Sequence, residues 1–183
     1  YFEDHAQAAA QISQRRPVVF GILCFVLGAL SLFVAQGLSG RLFPLSFSWP
    51  SLGLMILWEL VAGFVLAAIL HLILDLGGVR GSGSGLFVHL GMANLAWAVS
   101  VPLILILKLL VPRSGLAVTT AFLAVGLLSV SLKARGIQDN YRITSSKAWV
   151  TLGLPYLLML AAGLLAMGLA AGILFLQVMK AFD

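Results

Sequence analysis

Residues 51–74 read SLGLMILWELVAGFVLAAILHLIL, 24 positions that hold one carboxylate, Glu59, one histidine, His71, and no Lys or Arg. At about 1.5 Å of rise per residue, about 20 residues cross a hydrocarbon core of ~30 Å, so this stretch is long enough to span a bilayer as a helix. The apolar residues form a continuous run rather than one face of an amphipathic repeat, which is the pattern of a helix that meets lipid.

Four comparable runs surround it. The first occupies about 17–37, with Pro17 suited to a first helical turn. The third occupies about 86–110, the fourth about 115–132 and the fifth about 148–179. Hydrophobic residues make up 61% of the 183 positions and charged residues 9%, too few charges to coat a water-soluble domain of this size. The longest polar segments are about 16 residues, too short for a second domain. Period-two alternation is lacking, which excludes a transmembrane β-barrel. Backbone groups in lipid must then be satisfied within helices. The expected fold is all-α: a short N-terminal segment, 1–16, followed by a five-helix transmembrane bundle over 17–183.

The formal charge is +5, but the basic residues sit between apolar runs instead of clustering as a nucleic-acid-binding domain requires. Their place suits orientation in the membrane and contact with anionic headgroups. With the N-terminus cytoplasmic, that side carries Arg15, Arg16, Arg80, Lys133, Arg135, Arg142 and Lys147; the other carries Arg41, Lys108, Arg113 and Lys180. Seven against four follows the positive-inside bias and predicts N-in, C-out. The chain opens on Tyr1 rather than Met, which leaves room for residues upstream. The first apolar run follows Arg15 and Arg16 without a clear cleavage site, so it reads as a span rather than a signal peptide. Cys24 is the only cysteine, which excludes an intrachain disulfide and a cysteine-cluster metal site.

The connector after the fourth run carries Gly136-Ile137, Tyr141, Thr144 and Lys147-Ala148, followed by Leu154-Pro155. This resembles the Gly-Leu…His…Ser…Lys/Arg-Ala…Leu-Pro pattern of Yip-domain (Ypt/Rab-interacting) membrane proteins. Gly77-Gly78…Gly81-Ser82 and the stretch Ala93 to Pro102 are also similar to that family, so the resemblance covers nearly the whole chain. Tyr141 stands where His is common, and the eukaryotic Asp-Leu-Tyr-Gly-Pro signature is missing, which points to the prokaryotic branch and an inner-membrane location. The resemblance implies a five-span architecture with a cytoplasmic N-terminus and no settled biochemical activity.

The local chemistry of these positions is readable without the family. Gly136 after Lys133-Ala134-Arg135 is the expected C-terminal cap of the fourth helix. Thr144 or Ser145 is the expected N-cap of the fifth. Pro155, inside that helix, removes the donor for the Thr151 carbonyl and predicts a kink.

Polar residues within the runs are the candidate functional groups. Glu59 is either a hydrogen-bonded tie between helices, with Thr119 or Thr120 at similar depth, or a carrier of protons or ions. His71 and Asp75 share a helical face, and His89 lies across a short connector. The three form a hydrogen-bonded interfacial cluster or, less demanded by the spacing, a metal site. Asn94 is expected to bond a neighbouring helix. Gly168 and Gly172 make a GxxxG beside Ala162, Ala166 and Ala170, a pattern that permits close helix approach. Trp58, Trp97 and Trp149 call for no cofactor, and Trp149 fits an interfacial belt. Lys133, Arg135, Tyr141, Arg142 and Lys147 form the expected contact surface toward lipid or protein.

No nucleophile–base pair, HExxH motif or phosphate loop is present; the 81–85 glycines lack the Lys-Ser/Thr and the strand of a P-loop. The expected function is therefore non-enzymatic and cofactor-free: a Yip-like membrane-organising factor or accessory subunit acting on membrane lipids and a membrane-protein partner or second copy, with no nucleic acid. The alternative is a small permease or channel using Glu59, against which stand the absence of an evident inverted repeat and the few polar residues at midplane depth.

Overall fold

A computed structural model describes residues 18–42, 46–111 and 114–180, the stretch 173–180 as backbone only. The N-terminal segment 1–16 with Arg15 and Arg16, Pro17, Pro112, Arg113 and the Lys180 side chain lie outside the described residues. Those described are helical apart from short connectors, with no strand among them. The helices are α1 (Val18–Ser39), α2 (Trp49–Leu76), α3 (Gly83–Asn94), α4 (Ser100–Leu110), α5 (Gly115–Tyr141) and α6 (Ser145–Lys180), with a 3₁₀ segment Leu95–Val99 joining α3 to α4. Together α3, the 3₁₀ segment and α4 make one span, giving five long apolar spans in all. The chain is a multi-pass membrane protein built as an all-α bundle.

The third span is interrupted where its sequence demands. Pro102 has no N–H to offer the Ala98 carbonyl, so regular α pairing cannot pass through this point. The turn tightens instead into 3₁₀ geometry, and the Ser100 hydroxyl donates to the Trp97 carbonyl. At the start of α2, the Ser48 hydroxyl accepts from the Ser51 N–H at 3.4 Å, with Pro50 in the first turn.

The fourth span ends later than expected, at Tyr141 rather than about Leu132. Gly136 is not a cap. It lies mid-helix, and a Cβ there would stand 2.8 Å from the Cβ of His89, so the glycine serves close packing of α5 on α3. Ala134, Ile137 and Tyr141 continue the buried face of α5, which is why the helix is carried past its polar residues. It stops at Arg142, whose φ of 51° and ψ of 43° are left-handed and whose N–H donates to the Gln138 carbonyl. Most of the expected 133–147 connector is therefore helix. Thr144 caps α6, accepting from the Lys147 N–H at 3.4 Å.

At the centre lies α3, buried from Gly85 to Asn94. It packs against α1, α2 and α5. Its approach to α1 is close: a Cβ at Gly91 would lie 2.6 Å from the Gly21 carbonyl oxygen, and one at Gly28 would lie 2.6 Å from the Asn94 carbonyl oxygen. Small residues at this seam bring two backbones together, the means by which helices associate where lipid removes the hydrophobic drive. Phe25 fills the space beside Gly63 on α2 and lies 5.0 Å from the Phe87 ring.

The last span behaves differently. Ala148, Thr151, Leu152 and Pro155 are buried, but every residue from Tyr156 to Gly172 is exposed. Its packing is with α5 and α2. Beyond Pro155 the helix leaves the bundle's contacts.

Candidate functional site

Two polar sites result, one within the membrane and one at a bundle end. In the first, the Asn94 Nδ2 donates to Glu59 Oε2 at 3.3 Å. Asn94 is 1% exposed and Glu59 half-buried. The Ser129 hydroxyl on α5 donates to the Ala93 carbonyl at 3.3 Å, beside the 3₁₀ junction. Three helices, α2, α3 and α5, thus contribute to a polar seam beside one carboxylate.

Thr119 and Thr120 are not its partners. Arg41, just past the end of α1, donates to the Gly115 carbonyl at 3.0 Å and the Thr119 hydroxyl at 2.7 Å in the first turns of α5. Thr120 bonds the Leu116 carbonyl of its own helix at 3.0 Å. Both hydroxyls are occupied by nearer groups. The seam can hold a carboxylate in place through one amide; an Asn side chain does not titrate near neutral pH, so it positions Glu59 rather than taking up and releasing a proton.

At the second site, His71 Nδ1 and the Tyr141 hydroxyl are 2.6 Å apart, joining the end of α2 to the end of α5. Gly81 lies flat on the Tyr141 ring, leaving no room for a side chain. The Asn140 amide donates to the Ser82 carbonyl at 2.9 Å, and Ser82 caps α3 by accepting from the Gly85 N–H at 3.1 Å. The 77–82 connector, flexible by composition, is thereby strapped onto α5.

His71, Asp75 and His89 do not form one cluster. His71 turns to Tyr141; Asp75 is exposed; His89 is 1% exposed and packs on Gly136. Among the described residues, no three of His, Cys, Asp and Glu gather as a metal site would require. The expected contact surface is also divided. Tyr141 is 3% exposed, because its ring fills the space over Gly81, and Lys133 is half-buried. Arg135, Arg142 and Lys147 remain exposed.

Among the described residues nothing lies against Gly168 or Gly172; a Cβ at either would meet open space. Glycines at which helices do come together include Gly21, Gly28, Gly63, Gly91 and Gly136. The seven-residue interval between Gly21 and Gly28 was the signal available in sequence, since it places both on one helical face.

Of the residues that resemble the Yip-domain pattern, Gly81, Ser82, Gly136, Ile137, Tyr141 and Ala148 lie at one bundle end, where Ile137, Tyr141 and Ala148 share one buried apolar cluster, whereas Ala93 to Pro102 cross the middle of the third span and Leu154-Pro155 lie inside α6. In comparisons with known proteins, no family model matches the chain, and no curated protein or solved structure is significantly similar to it.

Proposed function

We propose that this chain is a non-enzymatic, Yip-like membrane-organising protein, or an accessory subunit, that acts by holding a membrane-protein partner. The observation that carries this reading is the distal part of α6: residues 156–172 are apolar or small and all exposed, with nothing among the described residues against Gly168 or Gly172. A helix of this kind offers close backbone approach to a second transmembrane helix. Exposed Arg135, Arg142 and Lys147 then anchor the end from which α6 departs against anionic headgroups, each worth about 1 kcal/mol near the surface. The orientation that suits them is N-in and C-out in a prokaryotic inner membrane. Gentle detergent extraction tests the reading. A stoichiometric membrane protein, or a second copy, is expected to co-purify with the wild type and to be lost when Gly168 and Gly172 are both replaced by Leu. Recovery unchanged by that replacement would count against docking through α6.

A second reading, a small permease using Glu59, draws on the half-buried carboxylate within the span. The fixed Asn94 partner favours a structural tie over a group that must gain and release its cargo.

A further inference from the structure

A cleft of about 400 Å³ opens between the start of α1, the end of α2 and the start of α3. From its size, which falls within the range of small-molecule sites, and from the order of groups along its walls, we infer that it holds one acyl chain of an anionic phospholipid. The inference rests on the membrane-spanning fold and not on a protein partner.

The walls are graded. Ile22, Phe64 and Phe87 line the part nearer the middle of the spans, and Ala68 leaves space between them. His71 and Ser84 line the part nearer the helix ends. All three helices agree on this direction: α1 and α3 begin at the outer part of the cleft, and α2 ends there. An almost wholly apolar cleft that opens toward the helix ends matches the tail of an amphiphile lying inward. The cleft is bounded by spans, so the molecules that meet its opening are lipids.

The rim also favours negative charge. Arg80 is exposed on the connector that leads into α3. That connector is held in place by Gly81 on Tyr141 and by Asn140 on Ser82, so Arg80, three residues before Gly83 at the cleft, sits on an anchored connector rather than a free loop. Ser84, its hydroxyl 3.0 Å from that of Ser82, opens α3 at the same end, and His71, fixed to Tyr141, closes the α2 side. The positive charge of Arg80 at this end favours an anionic headgroup.

The test uses the full chain in nanodiscs of mixed phosphatidylcholine and phosphatidylglycerol, with a diazirine on the acyl chain of one lipid at a time. After irradiation, peptides bearing Ile22, Phe64, Ala68 and Phe87 should be labelled above the exposed surface of α2, and more strongly by phosphatidylglycerol. Ala68→Trp should fill the cleft and reduce that labelling about tenfold, equivalent to about 1.4 kcal/mol. Ile22→Trp, from the opposite wall, should do the same, so a folding defect in one variant does not decide the matter. Leu72→Trp, on the lipid-facing surface, should leave it unchanged. Arg80→Gln should remove the preference for phosphatidylglycerol. Even labelling over all lipid-facing residues, or labelling that survives both Trp variants, would overturn the site. An unchanged lipid preference in Arg80→Gln would overturn the headgroup assignment. A rise in cleft labelling on removal of residues 1–16 would show the chain's own segment to be the occupant, and would overturn lipid occupancy. Loss of co-purifying protein moves none of these readouts.

Discussion

Asn94, the last residue of α3, donates its side-chain amide to the Glu59 carboxylate of α2 across 3.3 Å, deep in the bundle. The pair ties the central helix to one that is otherwise mostly exposed. Interhelical hydrogen bonds of this kind average about 0.6 kcal/mol in membranes. Leaving one partner buried and unpaired costs about 1–3 kcal/mol.

Glu59→Gln retains an oxygen acceptor for Asn94 and should fold and bind partners nearly as the wild type does. Glu59→Ala strands the Asn94 amide and should lower stability in detergent by about 1 kcal/mol or more. Thermal unfolding of the two variants checks this. In reconstituted vesicles the wild type should show no pH-driven flux. Flux in the wild type that vanishes in Glu59→Gln would promote the permease reading, since transport needs a carboxylate that gains and loses charge.

Gly28→Ala should destabilise the bundle by about 1–3 kcal/mol, because the added methyl would force α1 away from the Asn94 carbonyl. Gly168→Leu should leave the stability of the isolated chain unaltered, since open space surrounds it. Unfolding curves for the two in the same detergent should separate clearly; equal effects would mean that the seam between α1 and α3 is loose.

Tyr141→Phe removes the hydroxyl facing His71 and should cost about 1 kcal/mol. Tyr141→Ala, which also removes the ring that Gly81 packs on, acts on the connector as well: hydrogen exchange at residues 77–82 should quicken while the core of α3 stays protected, because the strap is fastened at Tyr141 and Asn140. Unchanged exchange would show that Asn140 alone holds the connector.

Arg142 offers a way to remove charge without loss of fold. Its left-handed backbone costs a non-glycine residue about 1–2 kcal/mol, so Arg142→Gly should hold or raise stability. Combined with Lys147→Gln, it should weaken association with anionic vesicles, measured by flotation at low salt. Binding unchanged by the double variant would remove this end from lipid contact.

The spans were legible because hydrocarbon selects for long apolar runs, and the runs at 17–37, 51–74 and 86–110 lie within a few residues of the helices or of the connectors between them. The end of α5 was not. Lys133, Arg135 and Gln138 mark a loop by polarity, while the face that keeps them helical, Ala134, Ile137 and Tyr141, is buried only against other helices. Gly136 illustrates the same limit: a glycine after basic residues looks like a cap, and only the position of His89 reveals it as a packing contact. The polar pairs were half legible. That Glu59 and Asn94 needed partners followed from the cost of burying them; that they would meet each other, with Thr119 bonded to Arg41 instead, shows only in the packed bundle.

Site-specific photocrosslinking from position 168 in intact membranes tests the docking role of α6 most directly. A discrete protein adduct is expected, either a second copy or one other membrane protein, and it should disappear when the probe is moved to position 61 on the exposed face of α2. Adducts with lipid alone at 168, in cells where the protein is otherwise intact, would contradict the proposal that this helix holds a partner.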